Sequence, residues 1–174
     1  MPKADQAALE GARERFLALW GALANGWGIN RTMAQIHALL LVSAEPLSTD
    51  EVMEALAISR GNANTNLREL VTWGLCRKVI KVGERREYFE AEKDVWQIFC
   101  IVARERKRRE IDPALPILKE CADATEGLRD PEGRHFHAQV KALSDFVALA
   151  ASIAERVAAA EQSKLVPALL KLLR

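Results

Sequence analysis

Apolar residues in the first third of the chain recur at helical steps. Leu9, Ala12, Phe16, Trp20, Leu23 and Trp27 fall three or four apart, which lines one face of a helix from about Ala4 to Asn25. The two glycines of "NGWG" end it. The segment "NRTMAQIHALLLVS" carries a second stripe, Met33, Ile36, Leu39, Leu40 and Val42, and Pro46 closes that helix, leaving Leu47-Ser48 for a minimal strand. Ser48 to Glu51 then fits a Ser-x-x-Glu capping box, which predicts a short helix with Val52, Leu56 and Ile58 facing inward. A second cap follows at Ser59, and the helix after it reaches Trp73, where Gly74 stops it. Two short helices joined through Ala57-Ile58 have helix-turn-helix spacing.

The pattern then changes period. "LCRKVIKV" and "REYFEA" read as two strands across a turn at Gly83-Glu84, and a hairpin directly after a helix-turn-helix is a wing. Asp94 opens another helix, with Val95, Ile98, Phe99, Val102 and Ala103 expected on its inner side and the basic run "RERKRRE" at its end. "PALPILKECADATEGL" predicts a short helix closed by Gly127, and "DPEG" a turn. From about Arg134 a longer helix carries Val140, Leu143, Phe146, Val147, Ala150, Ile153 and Val157, and "VPALLKLLR" adds a last apolar turn. The expected fold is mainly α: a winged helix-turn-helix domain over residues 29–94, preceded by an N-terminal helix over 1–28 and followed by a helical region over 95–174. The long terminal stripes are explained best by burial against a second copy; packing within one subunit is the alternative.

Composition narrows the function classes. The formal net charge of +1 is unevenly spread. Residues 1–59 hold four Lys/Arg against seven Asp/Glu, residues 60–110 thirteen against eight, and residues 111–174 eight against nine. The excess positive charge therefore lies in the middle, where it suits a polyanion. Cys76, Cys100 and Cys121 are odd in number and form no Cys-x-x-Cys pair, so they read as reduced, mostly buried thiols. His135 and His137 are two apart and point in different directions on a helix, His37 is isolated, and no glycine-rich phosphate loop occurs. No catalytic residue, metal site or cofactor is expected, and the reading is a non-enzyme. No signal-like or membrane-spanning stretch is legible, so the expected location is the cytoplasm, with no membrane partner.

The helix after Ser59 is polar where exposed helices usually carry Glu, Lys and Gln. Ala63, Leu67, Leu70 and Val71 form its inner side. Gly61, Thr65 and Arg68 lie opposite, with Asn62 and Asn64 on the flanks and Ser59 and Arg60 at the start. Asn and Gly are poor helix formers, so their presence needs a reason, and entry into a DNA major groove supplies one. Arg68 could pair with guanine, Asn62 or Asn64 could bond adenine or a phosphate, and Gly61 would allow close approach to a phosphate. In the hairpin, Arg85 and Arg86 would reach the minor groove, and Lys78 and Lys81 the sugar-phosphate backbone.

The order of helices, the run "STDEVMEALAISRGNANTNLRELVTWGLCRKV" and the Glu84-Arg85-Arg86 wing resemble the MarR-type winged helix-turn-helix regulators. "GERREYFEAEKDVWQ" is more similar to the branch that contains GbsR: the wider family usually has Asp-x-Arg and a leucine-threonine pair where this chain has Glu84-x-Arg86 and "YFEAEKD". The resemblance covers about residues 10–110. It implies a homodimer built from the terminal helices, one winged module per subunit, and double-stranded DNA as partner. It also allows a small-molecule effector bound by the C-terminal region, of unassigned identity; some members of the branch respond to choline, and Trp20, Trp27, Trp73, Trp96 and Tyr88 are the available aromatics. The function read from the chain is sequence-specific regulation of transcription, with repression the expected sign. The alternative is a winged-helix module used for protein contact.

Overall fold

The computed structural model describes residues 3–159, which divide into two compact units meeting between Asp94 and Val95. The expected apolar turn "VPALLKLLR" lies outside the described residues.

The first unit is built on α2 (Arg31–Val42), capped by Asn30, whose side chain accepts from the Met33 N–H at 3.0 Å. Its Met33, Ile36, Leu39 and Leu40 are buried, and α1 (Lys3–Gly26), α3 (Thr49–Leu56), α4 (Arg60–Trp73) and the sheet all pack on it. Val52 of α3, Ala63, Leu67 and Leu70 of α4, and Phe89 complete the core. The sheet has three antiparallel strands in the order β1 (Leu47–Ser48), β3 (Tyr88–Ala91), β2 (Cys76–Val79). Register pairs Ser48 with Tyr88 on one side and Val79 with Tyr88 on the other. The two-residue strand read at Leu47-Ser48 therefore exists because it edges the wing strand. The mainly helical fold with a small hairpin sheet is the expected class.

The capping box of α3 is complete. Ser48 Oγ accepts from the Glu51 N–H at 3.3 Å, and Glu51 Oε2 accepts from both the Ser48 N–H and hydroxyl at 2.7 Å. These bonds hold the Glu51 carboxyl below its ordinary pKa. Lys93 closes the unit from its other end: Nζ donates to the carbonyls of Leu40, Leu41 and Ser43 at 2.7–2.9 Å, neutralising the C-terminus of α2.

Two readings, the inner face of the helix after Asp94 and the turn at "DPEG", are corrected, while the stripe of α1 is largely left open in the single chain. On α1 the buried positions are Leu17 and Gly21, where an added Cβ would come within 2.8 Å of Gln35; Leu9, Leu23 and Trp27 are exposed. The helix meets α2 through Gly21 and through Trp20, whose ring centre lies 6.3 Å from that of His37. On α5 (Val95–Arg106), Ile98, Cys100, Ile101 and Glu105 are buried while Val95 and Phe99 are exposed, so the inner face is rotated from the expected one. "DPEG" is the start of α7 (Pro131–Ala159): Asp130 Oδ1 accepts from the Gly133 N–H at 2.7 Å and Pro131 takes the first helical position, where its missing N–H costs nothing.

In the second unit, α5 runs into a π-helical turn over Lys107–Ile111, followed by α6 (Ala114–Thr125) and α7. The basic run is laced with acids: Arg108 Nη2 reaches Glu105 at 2.6 Å, Lys107 reaches Asp112 at 2.8 Å, and Arg106 reaches Glu110 at 3.1 Å. α6 packs on α7, where His137 Nδ1 lies 3.0 Å from the Ala122 carbonyl, a structural bond between helices. Leu143, Phe146, Leu149 and Ile153 of α7 are exposed. Among the described residues no helix is long and apolar enough to cross a membrane.

Two outcomes test this core. Ser48→Ala removes a hydroxyl used as both donor and acceptor and should lower stability by about 1 kcal/mol, read as a shift in the urea midpoint. His37 is buried against Trp20, and its Nε2 has no hydrogen-bond partner among the described residues. Burial, and secondarily the charge of Lys93, lower its pKa from 6.5 to about 4. The unfolded chain then binds more protons between those values, so this contribution is complete above pH 6.5 and is lost as pH falls toward 4. Denaturation across that window should show a loss on the order of 3 kcal/mol in the native protein that His37→Leu largely abolishes.

Candidate nucleic-acid interface

The turn between α3 and α4 is three residues, Ala57 to Ser59. Ala57 takes a left-handed conformation at φ 50°, uncommon for a residue with a Cβ, and its N–H and that of Ile58 bond the last carbonyls of α3. Ser59 caps α4 by accepting from the Asn62 N–H at 3.3 Å. At the other end Gly74, at φ 82°, lets its own N–H reach Val71 and the Leu75 N–H reach Leu70. Both ends of the helix are thus fixed by local chemistry that the sequence displays.

Between these caps α4 has two faces. Ala63, Asn66, Leu67, Leu70 and Trp73 are buried; Gly61, Asn62, Thr65 and Arg68 are exposed, and Asn64 is half-buried. A Cβ added at Gly61 would meet nothing within 4 Å, so packing inside the chain does not require glycine there. Asn66, which sequence reasoning passed over, donates from Nδ2 to the Asn62 carbonyl at 2.8 Å and to Asn62 Oδ1 at 2.7 Å. It thereby fixes the Asn62 amide; the four-residue spacing of the two asparagines was the available signal. Arg60 is ion-paired with Asp50 at the start of α3, an exposed pair worth little stability that nonetheless occupies its guanidinium.

The wing joins β2 to β3 through residues 80–87. Its turn is Lys81–Glu84, one residue earlier than expected: the Glu84 N–H bonds the Lys81 carbonyl at 3.1 Å and Gly83 sits third at φ 87°, as a type II turn requires. Ile80 and Val82 are exposed. Lys78 pairs with Glu87 at 2.5 Å, and Arg77 with Glu90 at 2.7 Å across the strands. Lys81 places Nζ 4.1 Å from the centre of the Tyr88 ring, and the Tyr88 hydroxyl donates to the Glu84 carboxylate. That bond, with burial, pushes the phenol pKa up, so it stays a donor. Arg68, Arg85 and Arg86 are exposed and make no ion pair or side-chain hydrogen bond with any described residue. Cys76 lies behind the wing, buried, its thiol pushed up to about 12 by burial and so kept protonated.

The arrangement is a helix with a polar, unobstructed outer face beside a hairpin loop carrying two unpaired arginines, which can meet phosphates and base edges. No family model matches the sequence. The chain is 31% identical over 126 residues to the HTH-type transcriptional regulator MmpR5 of Mycobacterium tuberculosis, covering 72% of this chain and 70% of that one. It is 24% identical over 115 residues to the HTH-type transcriptional repressor GbsR of Bacillus subtilis, covering 66% of this chain and 63% of GbsR. With the HTH-type transcriptional repressor OpcR of the same organism the identity is 22% over 91 residues, and there the chain spans about half (49%) of the relative's length. A crystal structure of a transcriptional regulator shares its fold, at a TM-score of 0.65 and 22% identity over 85% of this chain and 96% of that one. At the level of identity and coverage reached with MmpR5, the chain belongs to the HTH-type transcriptional regulators.

Proposed function

We propose that this protein is a homodimeric, sequence-specific DNA-binding repressor of the MarR type, close to the GbsR branch. The observation that carries the reading is the pair of uncommitted surfaces: the outer face of α4 with Gly61, Thr65 and Arg68, and the wing with Arg85 and Arg86, all exposed and with no side-chain hydrogen bond or ion pair to any described residue. Residues 60–73 would enter the major groove, with Arg68 on guanine and Asn62, Asn64 and Thr65 on neighbouring edges or phosphates. Ser59, Arg60 and Gly61 would lie against the backbone at the helix start, where N–H groups and the helix dipole favour a phosphate. Residues 82–87 would reach the minor groove or backbone through Arg85 and Arg86, with Lys78 and Lys81 beside them.

Dimerisation is supported by apolar surface left open in each unit: Leu9, Leu23 and Trp27 on α1, and Phe146, Leu149 and Ile153 on α7. A second copy covering these stripes would set two recognition helices for a pseudo-palindromic site. Repression is favoured by relatives whose names say repressor. A cleft of about 310 Å³ between α6 and α7, lined by Lys119, Asp123, Glu126, His137, Lys141 and Asp145, would take a small-molecule effector. Its charged lining suits a small polar molecule better than an aromatic cage would.

Mobility shift on the DNA upstream of the protein's own gene, across a salt series, tests the reading. Binding should fall steeply with salt; Arg68→Ala should cost roughly tenfold to a hundredfold on the cognate site and relax its sequence preference. Arg86→Ala should weaken binding and reduce the salt slope by about 1. No shift at low salt would favour a winged module for protein contact instead. Gly61→Ala provides an internal control on the groove contact. It should raise stability by roughly 0.5–1 kcal/mol while weakening binding, and unchanged or tighter binding would remove Gly61 from the interface.

A further inference from the structure

The wing loop has little apolar anchorage of its own. Ile80 is 90% exposed and Val82 101% exposed, so burial does not fix residues 80–87. What fixes them is one ring. Tyr88 is 6% exposed, held in β3 between Ser48 and Val79, and both ends of the Lys81–Glu84 turn come to it. Lys81 lies over the ring face and Glu84 accepts from the hydroxyl. Beyond the turn, Glu87 is tied to Lys78. Arg85 and Arg86 therefore occupy the two positions between a pair of anchored glutamates, with their own side chains uncommitted.

We propose that Tyr88 and Glu84 are the positioning residues of the wing: by holding the Lys81–Glu84 turn on one buried ring, they set where Arg85 and Arg86 meet DNA without touching DNA themselves. The inference rests on the DNA-binding reading above. Its physical content is pre-organisation: a loop already fixed in its bound geometry loses less conformational entropy on binding than a free one, and the difference appears as affinity.

A double-mutant cycle tests it, with fluorescence anisotropy on the upstream DNA as readout. Tyr88→Phe keeps the ring, its burial and the Lys81 contact, and removes only the hydroxyl; Glu84→Ala removes the other partner from an exposed position where folding is not at stake. Each should weaken binding roughly threefold to tenfold when Arg85 and Arg86 are present. In an Arg85→Ala/Arg86→Ala background each should have less than about a twofold effect, because the groups being positioned are gone. Glu84→Gln, which retains an acceptor, should recover most of the loss. Equal losses in both backgrounds would mean that Tyr88 supports the module generally and would overturn the proposal. Amide exchange at the Glu84 N–H, which closes the turn on the Lys81 carbonyl, gives a readout without DNA: Tyr88→Phe should speed it about tenfold while α4 stays protected. Unchanged exchange overturns the proposal even if DNA binds. Accelerated exchange with no DNA binding by the native protein would uphold the anchoring and sink the DNA reading.

Discussion

The arrangement of the first unit follows from the burial of α2. Its Met33, Ile36, Leu39 and Leu40 face a space that α1, α3, α4 and β3 must fill, and each of those elements is oriented by the face it gives up to do so. Leu67 and Leu70 of α4 and Phe89 of β3 are nearly inaccessible, and each such side chain contributes about 1.5–3 kcal/mol when fully buried. An α-helix with one face committed in this way has no choice about what it presents on the other. The outward direction of Arg68 is therefore a by-product of where Leu67 and Leu70 go.

Polar residues in the central segment fall into two groups that composition cannot separate. Asn66, Arg60, Lys78 and Lys93 carry hydrogen bonds or ion pairs within the protein, while Arg68, Arg85 and Arg86 make none with any described residue. The net excess of positive charge over residues 60–110 thus overstates what is free to meet a partner. Much of the basic run at the end of α5 is balanced locally by Glu105, Glu110 and Asp112. The charge that remains unbalanced is concentrated on the outer face of α4 and in the wing.

Local rules made the helix-turn-helix legible. Ser48 with Glu51, Ser59, and Gly74 are capping signals that act within four residues, and each produced the boundary it implied. Asp130-Pro131 is an equally local signal that was read as a turn, although a cap followed by proline at the first position is how a helix begins. The harder cases are non-local. Periodicity announces that α1 and α5 have an apolar face, but which neighbour covers it depends on shape, and on α1 Gly21 and Trp20 meet α2 while Leu9, Leu23 and Trp27 stay exposed. Nothing near Tyr88 in sequence says that its ring will be capped by Lys81 on one side, or that Ser48 will lie beside it from forty residues away. Strand pairing creates that cluster, and only strand pairing reveals it.

The bonds from Lys93 to the end of α2 have a consequence for how the chain is made. They join residues about fifty positions apart, and β1 finds its partner in β3 across a comparable distance. α1 and α2 can pair as soon as both have left the ribosome, since their contacts are near neighbours in sequence. α4 is different. Its caps define it locally, and its supports α2 and α3 are made before it. But β2, which also packs on it, is held in the sheet by β3, and β3 and Lys93 are complete only about twenty residues after the helix ends. During that interval α4 rests on α2 and α3 alone, and the helix with the polar outer face waits on the wing strands for the last of its support.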